Sequence, residues 1–212
     1  MRRNVRIVSL IFFCLLLTSC VDYVQSITYK NGKYHMYYKI TLSKLIFAMG
    51  DQDPDEVFKE FDEEEIGELP LNAKVKTINT DIEGGYEFSF EIDPRTTDKT
   101  EKSFLPKVVG KKCFIPFLLG DNETIADSVE KESDNNYGEV FAEAILSSAK
   151  CRIFISKGVL ASVENAYFEG KETQDYYIPV FDYGDVYCLE IPVIALSKDS
   201  KYRTDKVVVI RK

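Results

Sequence analysis

An Asn-Gly pair between two alternating apolar stretches constrains the fold of this 212-residue chain more than any other feature. Asn31 and Gly32 are typical of a two-residue type I′ β-hairpin loop, in which both residues have positive φ. Placing them in the loop pairs Tyr29 with Tyr34, and the apolar residues then continue by twos on that same face. Because turn chemistry and hydrophobic period agree, the sequence predicts a hairpin over residues 25–43.

A second hairpin is predicted over residues 74–92, where a Gly-Gly pair separates two further alternating stretches. A three-residue loop, Glu83–Gly85, with Gly85 in a left-handed conformation, matches the apolar faces of the two strands. In that register Ile78 pairs with Phe90.

The remaining chain predicts more strands, two helices and connecting loops. Strands are expected near 111–118, 150–156, 159–168, 176–182, 186–195 and 206–211, with Pro116 at an edge or bulge. A short helix begins at Pro54, and a second spans 137–149, where apolar residues recur at helical spacing. Residues 93–103 are expected to form a polar loop. The predicted fold class is α+β, a largely antiparallel sheet with two helices packed against it.

The acidic segment 51–65 contains alternating aspartates that superficially suggest a calcium loop. An EF-hand requires glycine at its sixth position and normally glutamate at its twelfth, whereas Glu56 and Asp62 stand there. A helix start, with Asp53 as N-cap, explains the pattern better. The sequence therefore predicts no metal site and no cofactor.

Composition excludes some classes of partner. When the three arginines of residues 1–19 are removed, the formal net charge of −8 becomes −11, which argues against binding nucleic acid. Apart from Cys14 and Cys20, the cysteines are Cys113, Cys151 and Cys188. Each lies in a strand-like stretch and is expected to be a small buried residue, although one disulfide among the three is left open.

The N-terminal residues predict that the chain is exported and anchored to a membrane. A basic start is followed by an apolar stretch over residues 7–17, too short to span a bilayer but typical of a signal peptide. Leu17-Thr-Ser-Cys20 closes this stretch and resembles the lipobox of bacterial lipoproteins. That resemblance implies cleavage before Cys20 and its acylation, with diacylglyceryl and palmitate-type chains. The alternative is an ordinary secretory signal in which Cys20 has no role.

The predicted organisation is a signal peptide over residues 1–19 and a single periplasmic or surface domain over residues 20–212. Two or three acyl chains would hold this domain on a membrane. Because Val21 rather than aspartate follows the anchor, the resemblance favours the outer over the inner membrane. The predicted element order also resembles LppM-type envelope lipoproteins, which are linked to lipid binding. No motif of theirs matches, their C-terminal membrane segment is missing, and no site residue is carried over.

Nothing in the sequence marks catalysis, so the domain is expected to bind rather than to act as an enzyme. The single histidine, His35, has no partner defined by sequence. The chain has 13 tyrosines and 14 phenylalanines, which suggests an aromatic groove for lipid or another apolar ligand. Its expected lining is Tyr34, Tyr38, Tyr177, Tyr183 and Tyr187. The alternative is an envelope protein that binds another protein through an exposed sheet face.

Overall fold

The computed structural model describes residues 21–44, 69–118, 149–171, 174–196 and 202–212. The strands are β1 (Val21–Lys30), β2 (Lys33–Ser43), β3 (Lys74–Asn79), β4 (Glu83–Ile92), β5 (Lys107–Val109), β6 (Lys112–Pro116), β7 (Lys150–Ser156), β8 (Asn165–Gly170), β9 (Tyr176–Ile178), β10 (Val180–Asp182), β11 (Val186–Pro192) and β12 (Tyr202–Ile210). The helix α1 spans Lys99–Ser103, and one 3₁₀ turn spans Val193–Leu196.

The described strands form two sheets. The first, sheet A, has the order β10-β11-β7-β1-β2-β4-β3, and the second, sheet B, has the order β5-β6-β12-β8-β9. All pairings are antiparallel except that between β1 and β7, which is parallel. Among the described residues, no helix is long and apolar enough to cross a membrane.

The two sheets pack face to face as a β-sandwich. Alternate residues of each strand point inward, and the inward residues of both sheets form one buried apolar cluster. Phe117, just after β6, bridges the layers, because its ring lies 5.1 Å from that of Tyr23 in sheet A and 6.1 Å from that of Phe168 in sheet B. The chain passes from sheet B to sheet A at Pro179, between β9 and β10.

The first predicted hairpin is confirmed. Tyr29 pairs with Tyr34 across β1 and β2, and their ring centroids are 4.8 Å apart. Asn31 and Gly32 have φ values of 54° and 79°, as a type I′ turn requires. Strand β1 also begins earlier than predicted, at Val21.

The predicted register of the second hairpin is wrong. Both glycines lie inside β4, where Gly85 pairs with Ile78 on one side and with Thr41 on the other. The loop is instead closed by Thr80, whose hydroxyl accepts hydrogen bonds from the amides of Ile82 and Glu83 at 3.3 and 3.1 Å. A glycine is needed within β4 because a Cβ at Gly85 would lie 2.0 Å from the carbonyl oxygen of Ile40.

The predicted α+β class is also wrong. Of the described residues, 62% are in strands and 7% are helical, and they form two sheets and one short helix rather than one sheet backed by two helices. The apolar inner face of sheet A is covered by sheet B, because two half-apolar sheets bury each other as effectively as helices would. The predicted helix from Pro54 and nearly all of 137–149 lie outside the described residues. The likeness to LppM-type lipoproteins depended on that predicted element order.

Two smaller predictions also changed. The expected loop 93–103 contains α1, which has a capping box formed by Asp98 and Glu101. Strand β6 lies between β5 and β12 rather than at an edge. Pro116 is tolerated there because β5 is short and pairs only as far as Phe114, so Pro116 has no β5 neighbour.

Candidate interaction surface

The five tyrosines predicted to line one groove do not meet. Tyr34 and Tyr38 lie on β2, and Tyr187 lies on β11, with β1 and β7 between those strands. Tyr177 lies on β9 of the other sheet, and Tyr183 follows β10. The expectation that these five tyrosines line one groove is therefore wrong.

Tyr38 belongs to a polar cluster inside the sandwich. It is fully buried and stacks on Phe88 with ring centroids 4.8 Å apart. The buried amide of Gln25 donates to the Tyr38 hydroxyl at 3.4 Å and to the carbonyl of Pro116 in sheet B at 3.0 Å. The hydroxyl of Tyr23 donates to Oε1 of Gln25 at 3.1 Å. Burial raises the pKa of both tyrosines, so both hydroxyls stay protonated.

The side chains of Tyr34 and Tyr187 also pack against neighbouring residues. Tyr34 is half-buried against Tyr29, and burial raises the pKa of its hydroxyl. Tyr187 is buried, donates to the carbonyl of Ala161 at 3.4 Å, and lies under the ammonium of Lys157, which is 5.1 Å from its ring centroid. These side chains stabilise the sandwich.

Exposed aromatic side chains gather instead at β10, which is the outermost described strand of sheet A. Phe181 and Tyr183 are 41% and 63% exposed, and their rings stack at 6.4 Å with an interplanar angle of 16°. Both point to the outer face of sheet A, where Phe181 pairs with Cys188 and Cys188 with Phe154. We call these four residues, Phe154, Phe181, Tyr183 and Cys188, the aromatic platform.

A tight turn holds the platform in place. The amide of Tyr183 donates to the carbonyl of Val186 at 2.9 Å, and that of Gly184 donates to Asp182 at 2.9 Å. Lys157 lies 3.0 Å from the same aspartate. The hydrogen bond from Lys157 lowers the pKa of Asp182, so this carboxylate stays charged and the turn keeps its acceptor.

Several ion pairs lie beside the platform on the outer face of sheet A. Lys150 lies 2.8 Å from Glu190, Lys39 lies 3.4 Å from Asp22, and Arg152 lies between these pairs, 3.5 and 3.6 Å from the two acids. A similar pair joins Lys76 on β3 to Glu87 on β4 at 3.0 Å. The aromatic platform is thus an apolar patch bordered by a charged, solvated surface.

The chain around the platform limits direct strand pairing. Strands β9 and β10 have three residues each, and Pro179 between them has no amide hydrogen to donate. Short edge strands interrupted by proline are poor templates for adding a further strand. The exposed feature of this edge is therefore its side chains rather than its backbone.

Tyr177 lies near this edge but on the opposite outer face. It is 64% exposed, and its ring centroid lies 5.8 Å from that of Tyr167 on β8. It is therefore separate from the platform, although only Pro179 and its flanking residues divide it from Phe181 in the chain.

The cysteines and the histidine behave as ordinary strand residues. Cys113, Cys151 and Cys188 are free and buried, so the described residues contain no disulfide between them. Burial raises the pKa of Cys151 to about 12 and that of Cys113 to about 11, so neither is a nucleophile near neutral pH. His35 lies on β2 with its Nδ1 3.3 Å from Glu91.

The sequence prediction included Tyr183 but missed Phe154 and Phe181. The signal was present in β7, where Cys151, Ile153 and Ile155 alternate and so share one face. By the same period, Phe154 must point outward, which is unusual for a large apolar residue on a solvated face. Cys20 and the acidic segment 51–65 lie outside the described residues, so the structure describes neither the anchor nor the predicted absence of a metal there.

The described residues thus define a β-sandwich with an exposed aromatic platform on one outer face. Comparison adds no family to this description. No family model, curated protein or solved structure matches the chain.

Proposed function

We propose that this chain is a lipid-anchored protein of the bacterial cell envelope whose sandwich binds a partner protein through the aromatic platform. The observation that carries the binding part is the exposed, stacked pair Phe181 and Tyr183. Exposed apolar patches bordered by polar residues are typical of protein-binding surfaces, where tyrosine and phenylalanine are enriched.

The anchoring part is supported by the lipobox, and the position of β1 determines how close to the membrane the domain would lie. Val21 is buried and already paired with Leu42 at the first residue of β1. Consecutive Cα atoms lie about 3.8 Å apart, so an acylated Cys20 would hold the start of β1 close to the membrane. The domain would have no linker.

With Cys20 anchored, the platform would lie away from the membrane. Strand β1 has ten residues, or about 30 Å at about 3.4 Å per residue. Tyr183 lies in the turn next to Val186, which pairs with Ser156 near the end opposite Val21. A partner in the periplasm or at the cell surface would reach this end first.

Photocrosslinking in intact cells tests the binding part. A photoreactive phenylalanine analogue at position 183 is expected to give one discrete adduct with a second protein. The matched control carries the same analogue at position 76, which is exposed on the same outer face but within the ion-pair region. In addition, Phe181→Ser in the protein that carries the analogue at position 183 is expected to reduce the yield of adduct at least fivefold. Thermal melting of this variant must match that of the parent protein.

Three results would contradict the proposal: no adduct from position 183, the same adducts from positions 183 and 76, or adducts insensitive to Phe181→Ser. Adducts containing only lipid would replace it with the apolar-ligand alternative, in which the platform receives an acyl chain.

A further inference from the structure

An exposed isoleucine lies at the end of the sandwich where β1 begins. Ile82, in the turn between β3 and β4, is 75% exposed, whereas isoleucine is among the residues most often buried. Its carbonyl accepts from the amide of Lys44 at 3.0 Å, so the turn is fixed against the chain that leaves β2. Among the described residues, Ile82 neither belongs to the buried apolar cluster nor packs against it.

The register of the sheet places this turn relative to Val21. Val21 pairs with Leu42, and Leu42 pairs with Gly84 on β4. Ile82 is two positions before Gly84, so it projects about 7 Å beyond the level of Val21 along the strand direction. Strand β4 is two strands from β1, about 10 Å to the side.

We propose that Ile82 inserts into the membrane interface as a second, apolar contact beside the lipid anchor. This inference rests on the proposed acylation of Cys20, which holds that end of the sandwich at the bilayer. One anchor leaves a domain free to tilt, whereas an apolar side chain about 10 Å from it fixes the orientation. The ligand is therefore a phospholipid surface, and the side chain of Ile82 packs among the lipid acyl chains.

The chain provides its own control for this proposal. Leu71 is an aliphatic residue that is fully exposed. It lies at the opposite end of the sandwich, because its neighbour Asn72 donates to the carbonyl of Glu91, which pairs with His35. A membrane contact at the β1 end places Ile82 in the bilayer and leaves Leu71 in water.

Tryptophan fluorescence distinguishes the two positions, because the sequence contains no tryptophan. The full, acylated protein carrying Ile82→Trp or Leu71→Trp is reconstituted in phosphatidylcholine vesicles with or without acyl-brominated lipid. A zwitterionic surface is chosen because Asp81 is exposed beside the turn. We expect brominated lipid to quench Ile82→Trp at least twofold and Leu71→Trp not at all, while iodide in the water quenches mainly Leu71→Trp.

Equal quenching of the two variants by brominated lipid would overturn the role of Ile82 but not the anchor. The same holds if position 82 is not quenched in protein that floats with the vesicles. Failure of both variants to float with the vesicles would overturn the anchor itself and this inference with it. Thermal melting of each variant establishes that it is folded, which is expected because both substituted side chains are exposed.

Discussion

Two glycines show how single residues define the sheets. Gly32 has a positive φ and no atom within 4 Å of an added Cβ, so its requirement is conformational. Gly85 also has a positive φ, but there an added Cβ would overlap the backbone of β2. Position 32 therefore disfavours β-branched residues, whereas position 85 excludes every side chain larger than that of glycine.

Gly32→Val should lower the free energy of unfolding by about 1–2 kcal/mol, because a β-branched residue is disfavoured in the left-handed conformation. Chemical denaturation measures the change. Lys33→Val, one residue further and within β2, is the control and should change it by less than about 0.5 kcal/mol. A Gly32→Val variant as stable as the parent would contradict the turn.

At the scale of elements, contacts between the two sheets are partly polar. Gln25 occupies an inward position of β1 between apolar neighbours, yet it connects two tyrosines of sheet A with the Pro116 carbonyl of sheet B. Since buried groups without partners are costly, this cluster favours one alignment of the sheets over others.

Gln25→Ala should destabilise the fold by about 1–3 kcal/mol, because it removes the buried amide that donates to the Pro116 carbonyl and accepts from the Tyr23 hydroxyl. Ser26→Ala is the matched control, since Ser26 is the next residue of β1 and points to the outer face. The expected cost there is below about 0.5 kcal/mol. Similar midpoints in urea for both variants would show that the cluster does not contribute.

Local pattern was enough to predict individual strands but not their assembly. The bounds of β7 and the pairing across Asn31-Gly32 follow from period and turn chemistry. The parallel pairing of β1 with β7 joins segments more than a hundred residues apart, and no local signal specifies it. The same limit explains why the predicted single sheet became two, and why the platform, built from β7, β10 and β11, was only partly predicted.

For the molecule as a whole, we propose that the two ends of the sandwich have different roles. The end where β1 begins would face the membrane, with Cys20 carrying the lipid and Ile82 beside it. The opposite end carries Tyr183 and the aromatic platform, where a partner protein would bind. Each assignment depends on which end of β1 is anchored.

Mass spectrometry of the N-terminal peptide, purified from membranes, tests the anchor most directly. The account predicts a chain that begins at Cys20, with a diacylglyceryl group in thioether linkage and a further acyl chain on its amine. In a Cys20→Ala variant that lipidated peptide should be missing, and the protein should leave the membrane fraction. An unmodified peptide that still contains residues 1–19, or one cleaved elsewhere and free of lipid, would contradict the account.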